Sequence, residues 1–334
     1  MTSIAGPWLW SIFGVLVLGM LALDLGVFHR KAHVIRLREA AVWSAIWVGL
    51  ALSFNVLVLW RFGMQRGLEF FQAWLVEKAL SVDNIFVFLA IFSYFAVAPQ
   101  LQHRVLFWGI FGALVTRGIF IWTGAALLNR FHFVMYVFGV FLILTAGRLL
   151  IGDDVEVRPD KNLVLRLFRR IFPVAREYAG TRFLVQREGR WMVTPLLMVL
   201  VVVEATDVVF AVDSIPAVFG ITQDVFIVYT SNIFAILGLR AMSFMVASAV
   251  QQLRYLKAGL ALVLAFVGMK MLAGNYVHIS ELLSLAIVAG LLLGATLLSL
   301  LIPAPSATNS PPDGQAEHPR REGEEREHRP SQDR

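Results

Sequence analysis

The 334-residue chain contains no cysteine, which excludes disulfides, thiolate metal ligands and thiol chemistry of its own and leaves any metal to oxygen ligands. Charge is also scarce. Asp, Glu, Lys and Arg make up 16% of residues, well short of the roughly one quarter usual in a soluble domain. No Gly-rich loop carries Lys and Ser or Thr in Walker spacing, and no pair of His residues brackets a Glu. The chain therefore offers neither an ATP-driven pump nor a metalloprotease, and no enzyme is expected. Histidine is absent from the centres of the apolar runs: His29, His33, His103, His132 and His278 fall at their edges, and His318 and His328 near the end of the chain.

What the chain has in excess is apolar sequence: 58% hydrophobic residues and a mean hydropathy of +0.72. This is the composition of a polytopic membrane protein. At roughly 20 apolar residues per crossing, about nine spans are expected, over residues 8–28, 40–60, 71–97, 105–128, 133–151, 192–219, 225–250, 258–273 and 282–302. The first starts without a basic flank and lacks a small-residue cleavage pattern, so it reads as a retained helix. The formal net charge of +6 sits between the spans, where the positive-inside effect puts it, so membrane lipids and not nucleic acid are the expected partners. Arg30, Lys31, Arg36 and Arg38, the many Arg of residues 153–191, and Arg254 with Lys257 share one side, against Arg61, Arg66 and Arg130 on the other. The rich side is expected to be cytoplasmic, with the N-terminus outside and the C-terminus inside.

Against this background one polar motif occurs twice inside apolar runs. Glu77 is followed by Asp83, Asn84 and Ile85, and Asp207 at the same spacing by Asp213, Ser214 and Ile215. A carboxylate at the centre of a bilayer costs at least about 2.5 kcal/mol, so a matched set points to function. The next span carries an intramembrane Arg in each case, Arg117 or Arg240, and the one after ends in a cation, apolar residues and Gly, at Arg148 to Gly152 or Lys270 to Gly274. Each unit has three spans, an odd number, so two copies in tandem insert in opposite senses. Such inverted repeats build many secondary transporters, with the site at the midplane.

The expected organisation is two N-terminal helices (1–70), a first three-helix unit (71–152), a basic cytoplasmic loop (153–191), an inverted second unit (192–275), a final helix (276–302) and a disordered cytoplasmic tail (303–334). Leu163, Leu165, Leu167 and Phe168 among the arginines of the loop suit either a helix on the anionic inner leaflet or a solvated linker. Six residues on an ideal helix subtend about 240°, so both acids of one motif share a site only where the helix unwinds. Pro216 provides a reason for that in the second unit.

Glu77, Asp83, Asn84, Glu204, Asp207, Asp213 and Ser214 form an oxygen-only set suited to Mg, Ca or Mn, with Asp83 and Asp213 expected at its centre. Arg117, Arg240 and Lys270 are the expected counter-charges. The competing reading has these groups pair off simply to hold helices together, which is a costly use of buried charge. Lys78 reads as an interfacial anchor, and Asn232 as a single interhelical hydrogen bond.

Residues 77–86 (EKALSVDNIF), 207–216 (DVVFAVDSIP), 230–240 (TSNIFAILGLR), 266–272 (FVGMKML) and 23–28 (LDLGVF) resemble the signatures of the TerC family, integral membrane proteins named for tellurium resistance. The resemblance runs over residues 8–302. It implies a bacterial inner-membrane protein linked to manganese export and homeostasis, to manganese supply for secreted enzymes or, in one branch, to tellurite resistance. It implies no tightly bound cofactor, only a transported divalent cation, with manganese leading. The alternative is a membrane scaffold without transport of its own, meeting cytoplasmic or secretion-machinery partners through the basic loop and tail.

Overall fold

A computed structural model describes residues 3–28, 37–131, 133–151, 163–175, 177–187, 189–239, 241–243, 245, 255–274 and 279–302. The helices are α1 (Pro7–Phe28), α2 (Leu37–Phe62), α3 (Met64–Tyr94), α4 (Pro99–Arg130), α5 (Phe133–Ile151), α6 (Leu163–Ile171), α7 (Pro195–Phe219), α8 (Val225–Ile236), α9 (Leu256–Ala273) and α10 (Glu281–Leu301). Six of them, α2, α4, α5, α7, α9 and α10, are long and apolar enough to cross a membrane. The chain is a mostly helical, polytopic membrane protein. Helix α3 is long, but Glu77, Lys78 and Asp83 within it set it apart from the apolar spans. The expected tail, 303–334, and the loop residues 152–162 lie outside the described residues.

Local chemistry sets the helix ends. Pro opens α4 and α7, where its missing N–H costs nothing. The side chain of Asp224 caps α8 by accepting from the Phe226 and Ile227 amides, and Ser280 caps α10 through the Leu283 amide. Between α2 and α3 the chain reverses through Gly63 alone, at φ +89°, a conformation that a Cβ would oppose. Helix α3 occupies the middle, against α2, α7, α8 and α10, while α4 lies on α7 and α8. Helices α5 and α9 pack so closely that a Cβ built on Gly268 would stand 2.8 Å from the Gly139 carbonyl.

The break in regular helix falls elsewhere than expected. Helix α7 is continuous through Pro216, which sits in its last turn with its carbonyl accepting from Gly220 N at 3.0 Å. The ring removes the donor due to the Val212 carbonyl, but one missing bond so near the end does not unwind the helix. Instead α8 stops at Ile236. Leu237 leaves the helix at ψ 128°, Gly238 follows at φ +86°, and helix resumes at Leu239. Trp47 of α2 fills the space beside Gly238, 2.8 Å from where a Cβ would be. At 1.5 Å per residue α8 spans about 18 Å, little more than half a hydrocarbon core.

One part is not helical. Strands β1 (Leu184–Arg187) and β2 (Arg190–Val193) pair antiparallel, Leu184 opposite Val193 and Arg187 opposite Arg190. With α6 they form a small body on the ends of α3, α4 and α7. Leu165 of α6 is buried in a cluster with Leu196 and Val199 of α7, and Tyr178 Oη donates to the Phe95 carbonyl at the end of α3 at 2.7 Å. Part of the loop expected as a linker or surface helix is therefore a folded unit.

Candidate functional site

Arg117 of α4, 1% exposed, is the centre of the polar core. Its Nη1 donates to Glu77 Oε1 of α3, to Ser214 Oγ of α7 at 3.3 Å and to Asn232 Oδ1 of α8 at 3.3 Å. Its Nε and Nη2 take both carboxylate oxygens of Asp207 of α7, at 3.4 and 3.1 Å. One guanidinium thus joins four helices. The spacing explains the convergence: Asp207 and Ser214 are two turns apart on one face of α7, while Glu77, Ser81 and Asn84 follow each other at four and three residues down one side of α3.

Formally, two carboxylates face one guanidinium, leaving one negative charge in a buried setting. The polar groups are also incompletely used: among the described residues Glu77 Oε2, Asn232 Nδ2 and Ser81 Oγ are buried without a hydrogen-bond partner. A cavity of about 10 Å³, at the lower limit for one water, adjoins the cluster. Ser81, Asn84, Arg117 and Asp207 are its polar lining, and Ile236 and Leu239, flanking the α8 break, line it as well.

The acids that meet are the first of each motif. Asp213, the second, lies on another face of α7, where it accepts from Thr145 Oγ1 of α5 at 3.4 Å. Asp207 and Asp213 stay on different faces because α7 does not unwind. The backbone of Asp83 lies in α3, and its side chain is outside what is described, as is Arg240. Glu204, one turn before Asp207, is half-buried with its carboxylate laid on Gly112 of α4. Lys270 belongs to a different junction: its Nζ is 3.3 Å from Glu281 Oε2 and donates to Ser284 Oγ, which also accepts from Gln72 Nε2 at 2.7 Å. It is not at the Arg117 cluster. Lys78 is not an interfacial anchor either; it donates to the Ala235 carbonyl in the last turn of α8 at 3.1 Å. Among the described residues no three acidic or His side chains are grouped to hold a metal.

Two features have little or no signature in the sequence. Asn232 joins the Arg117 cluster, although an Asn inside an apolar helix looks the same whether it meets a carbonyl or a guanidinium. A second network links Arg66, Glu69 and Thr222, at 2.7 and 2.6 Å, and Asp224 takes the Ile4 amide at 2.7 Å. An Asp directly before the apolar run of α8 is an N-cap signal that makes Asp224 legible.

The sequence model of the family described as "Integral membrane protein TerC family" matches residues 62–307. A Myxococcus xanthus protein described as "Uncharacterized membrane protein STKORF319" is 51% identical over 311 residues, 93% of this chain and 97% of that protein. The Escherichia coli (strain K12) protein described as "Putative membrane-bound redox modulator Alx" is 42% identical over 301 residues, 87% of this chain and 94% of its own length. An uncharacterized membrane protein of Rickettsia felis is 38% identical over 292 residues, 87% of this chain and 97% of its own. No solved structure matches the chain. The matched span covers both acidic motifs and Arg117, and the chain belongs to the TerC family of integral membrane proteins.

Proposed function

We propose that this protein is a divalent-cation transporter of the bacterial inner membrane, exporting manganese by alternating access between inverted three-helix units, α3–α5 and α7–α9. The observation that carries the reading is the convergence of Glu77 and Asp207 on Arg117. Corresponding acids of the two motifs share one buried cation and leave a formal negative charge unmatched, which is a costly way to join helices and a suitable one to attract an ion. Arg117 then acts as a tethered stand-in. When a metal takes the carboxylates, the guanidinium is displaced, and when the metal leaves it returns.

The packing supports inversion. Exchanging the units turns the α3–α8 contact into the α7–α4 contact, and both are extensive, while α5 meets its own counterpart α9. Nine crossings with the N-terminus outside and the C-terminus inside follow from the apolar segments and the distribution of Arg. Asn84 and Ser214 complete an oxygen donor set, Glu204 serves ion entry, and Asp83 and Asp213 are ligands of a second conformation. This hard set suits manganese over zinc or copper. A relative described as a redox modulator fits the same reading, because a chain without thiols influences redox state most directly through a redox-active metal.

The test is manganese flux in proteoliposomes across a pH gradient, which also reports proton coupling. Glu77→Gln and Asp207→Asn are each expected to abolish flux while the protein still assembles. Flux at the wild-type rate in both variants would sink the proposal and favour the scaffold.

A further inference from the structure

The body formed by α6 and the β1–β2 hairpin carries a surface that ion transport does not use. From residue 163 to 193 there are seven Arg and two Glu, and Arg170, Arg182 and Arg190 are exposed. Among them stand large apolar side chains that a soluble surface would bury: Leu167 (57% exposed), Ile171 (62%), Phe172, Leu184 and Trp191 (65%). Helix α6 is strongly two-faced, with Leu165 inserted into the protein and Leu167 and Ile171 turned away from it.

The surface is continuous with the lipid-facing side of α4. Phe183, next to β1, meets the edge of Trp108 at 6.4 Å between ring centroids, and the guanidinium of Arg104 lies 5.0 Å over the Phe183 ring. Trp108 and its neighbour Phe111 are exposed on α4, as aromatic residues at a membrane interface are. The hairpin therefore lies beside the exposed aromatic residues of α4. Cationic and apolar groups interleaved there match a surface that is anionic outside and apolar within.

We propose that residues 163–193 dock on anionic lipid headgroups, with Leu167, Ile171, Phe172, Leu184 and Trp191 entering the leaflet and Arg170, Arg182 and Arg190 meeting phosphates. The assignment depends neither on transport nor on which side of the membrane is cytoplasmic. It links lipid to the interior, because Leu165 shares its buried cluster with Phe88, Leu106 and Val203, all lining the cavity beside Arg117.

The absence of native cysteine makes the experiment direct. Ile171→Cys and Trp191→Cys, each in the full-length chain, carry a nitroxide in vesicles of phosphatidylcholine alone or mixed with phosphatidylglycerol. In the anionic vesicles, collisions with oxygen are expected to rise and collisions with a water-soluble nickel chelate to fall severalfold. Arg170→Gln with Arg182→Gln and Arg190→Gln should abolish that difference, and so should high salt acting on the unmodified arginines. Labels equally open to water in both vesicle types would overturn the proposal and leave the surface to a protein partner.

Discussion

The two halves of the proposed repeat hold equivalent acids in unequal surroundings. With Glu77 set on Asp207 and Arg117 on Arg240, Lys78 falls on Val208 and Gly238 on Val115. In α4 the β-branched Val115 continues a regular helix; just after α8 Gly238 permits φ +86° and the helix is interrupted. The first unit supplies Lys78 to the Ala235 carbonyl just before that break, and the second needs no such cation because α4 has no free end. In the same register Glu204 on Gly112 corresponds to Trp74 and Ala235, which share one buried apolar cluster. One turn before Asp207 there is thus a half-buried carboxylate, and one turn before Glu77 a buried indole. On the proposed function, such differences would make the two units a directional device, since alternating access needs two flanks that are not open together.

Removing the centre that both units share has the gravest consequence. Arg117→Met strands Glu77 and Asp207 and is expected to cost about 3–5 kcal/mol, read by denaturant or thermal unfolding in micelles. Adding Glu77→Gln and Asp207→Asn to it should restore most of the stability without restoring flux. If Arg117→Met alone unfolds like wild type, the acids are not held by the guanidinium and the centre is misassigned.

The broken helix is tested next. Gly238→Ala forces a Cβ into the left-handed region and against Trp47, and a loss of about 1–2 kcal/mol is expected from the backbone alone. Val115→Gly, at the matching place in α4, should cost less, about 0.5–1 kcal/mol, by weakening a continuous helix. Equal costs would mean that the two helices do not differ in the way described. Lys78→Met removes a charged donor, worth about 1.5–3 kcal/mol in the general case, from the Ala235 carbonyl. Its more telling readout is local: faster amide hydrogen exchange at residues 235–239 with no change in α4.

Much of this was legible from sequence because ionisable residues are rare in apolar helices and therefore stand out. Glu77, Asp207 and Arg117 stand out by that rarity and by the repeated motif, and the structure brings the three together. Which acids would meet was not legible, because it depends on whether α7 unwinds at Pro216, and the energy of one missing hydrogen bond depends on how near the helix end lies. The break at Gly238 was hidden for the opposite reason: glycine is common in membrane helices, and only Trp47, far off in sequence, shows that its φ is put to use. Lys78 was misjudged because its partner is a backbone carbonyl, which has no signature in sequence.

The smallest expected effect separates site chemistry from stability most cleanly. Gly112→Ala places a methyl where the Glu204 carboxylate now lies. The carboxylate is at the far end of a flexible side chain, so it can swing aside, and the roughly 0.5–1 kcal/mol gained by Ala over Gly inside a helix is offset by that displacement, leaving a net change of no more than about 0.5 kcal/mol. Its distance from Asp207 must nevertheless change. If Glu204 serves ion entry, Gly112→Ala should raise the manganese KM while unfolding stays at the wild-type midpoint, and Glu204→Gln should do the same without the methyl. A raised KM in Glu204→Gln with none in Gly112→Ala would place the function in the charge of Glu204 and not in its position. An unchanged KM in both would remove Glu204 from the path and leave the half-buried carboxylate without the role the comparison gives it.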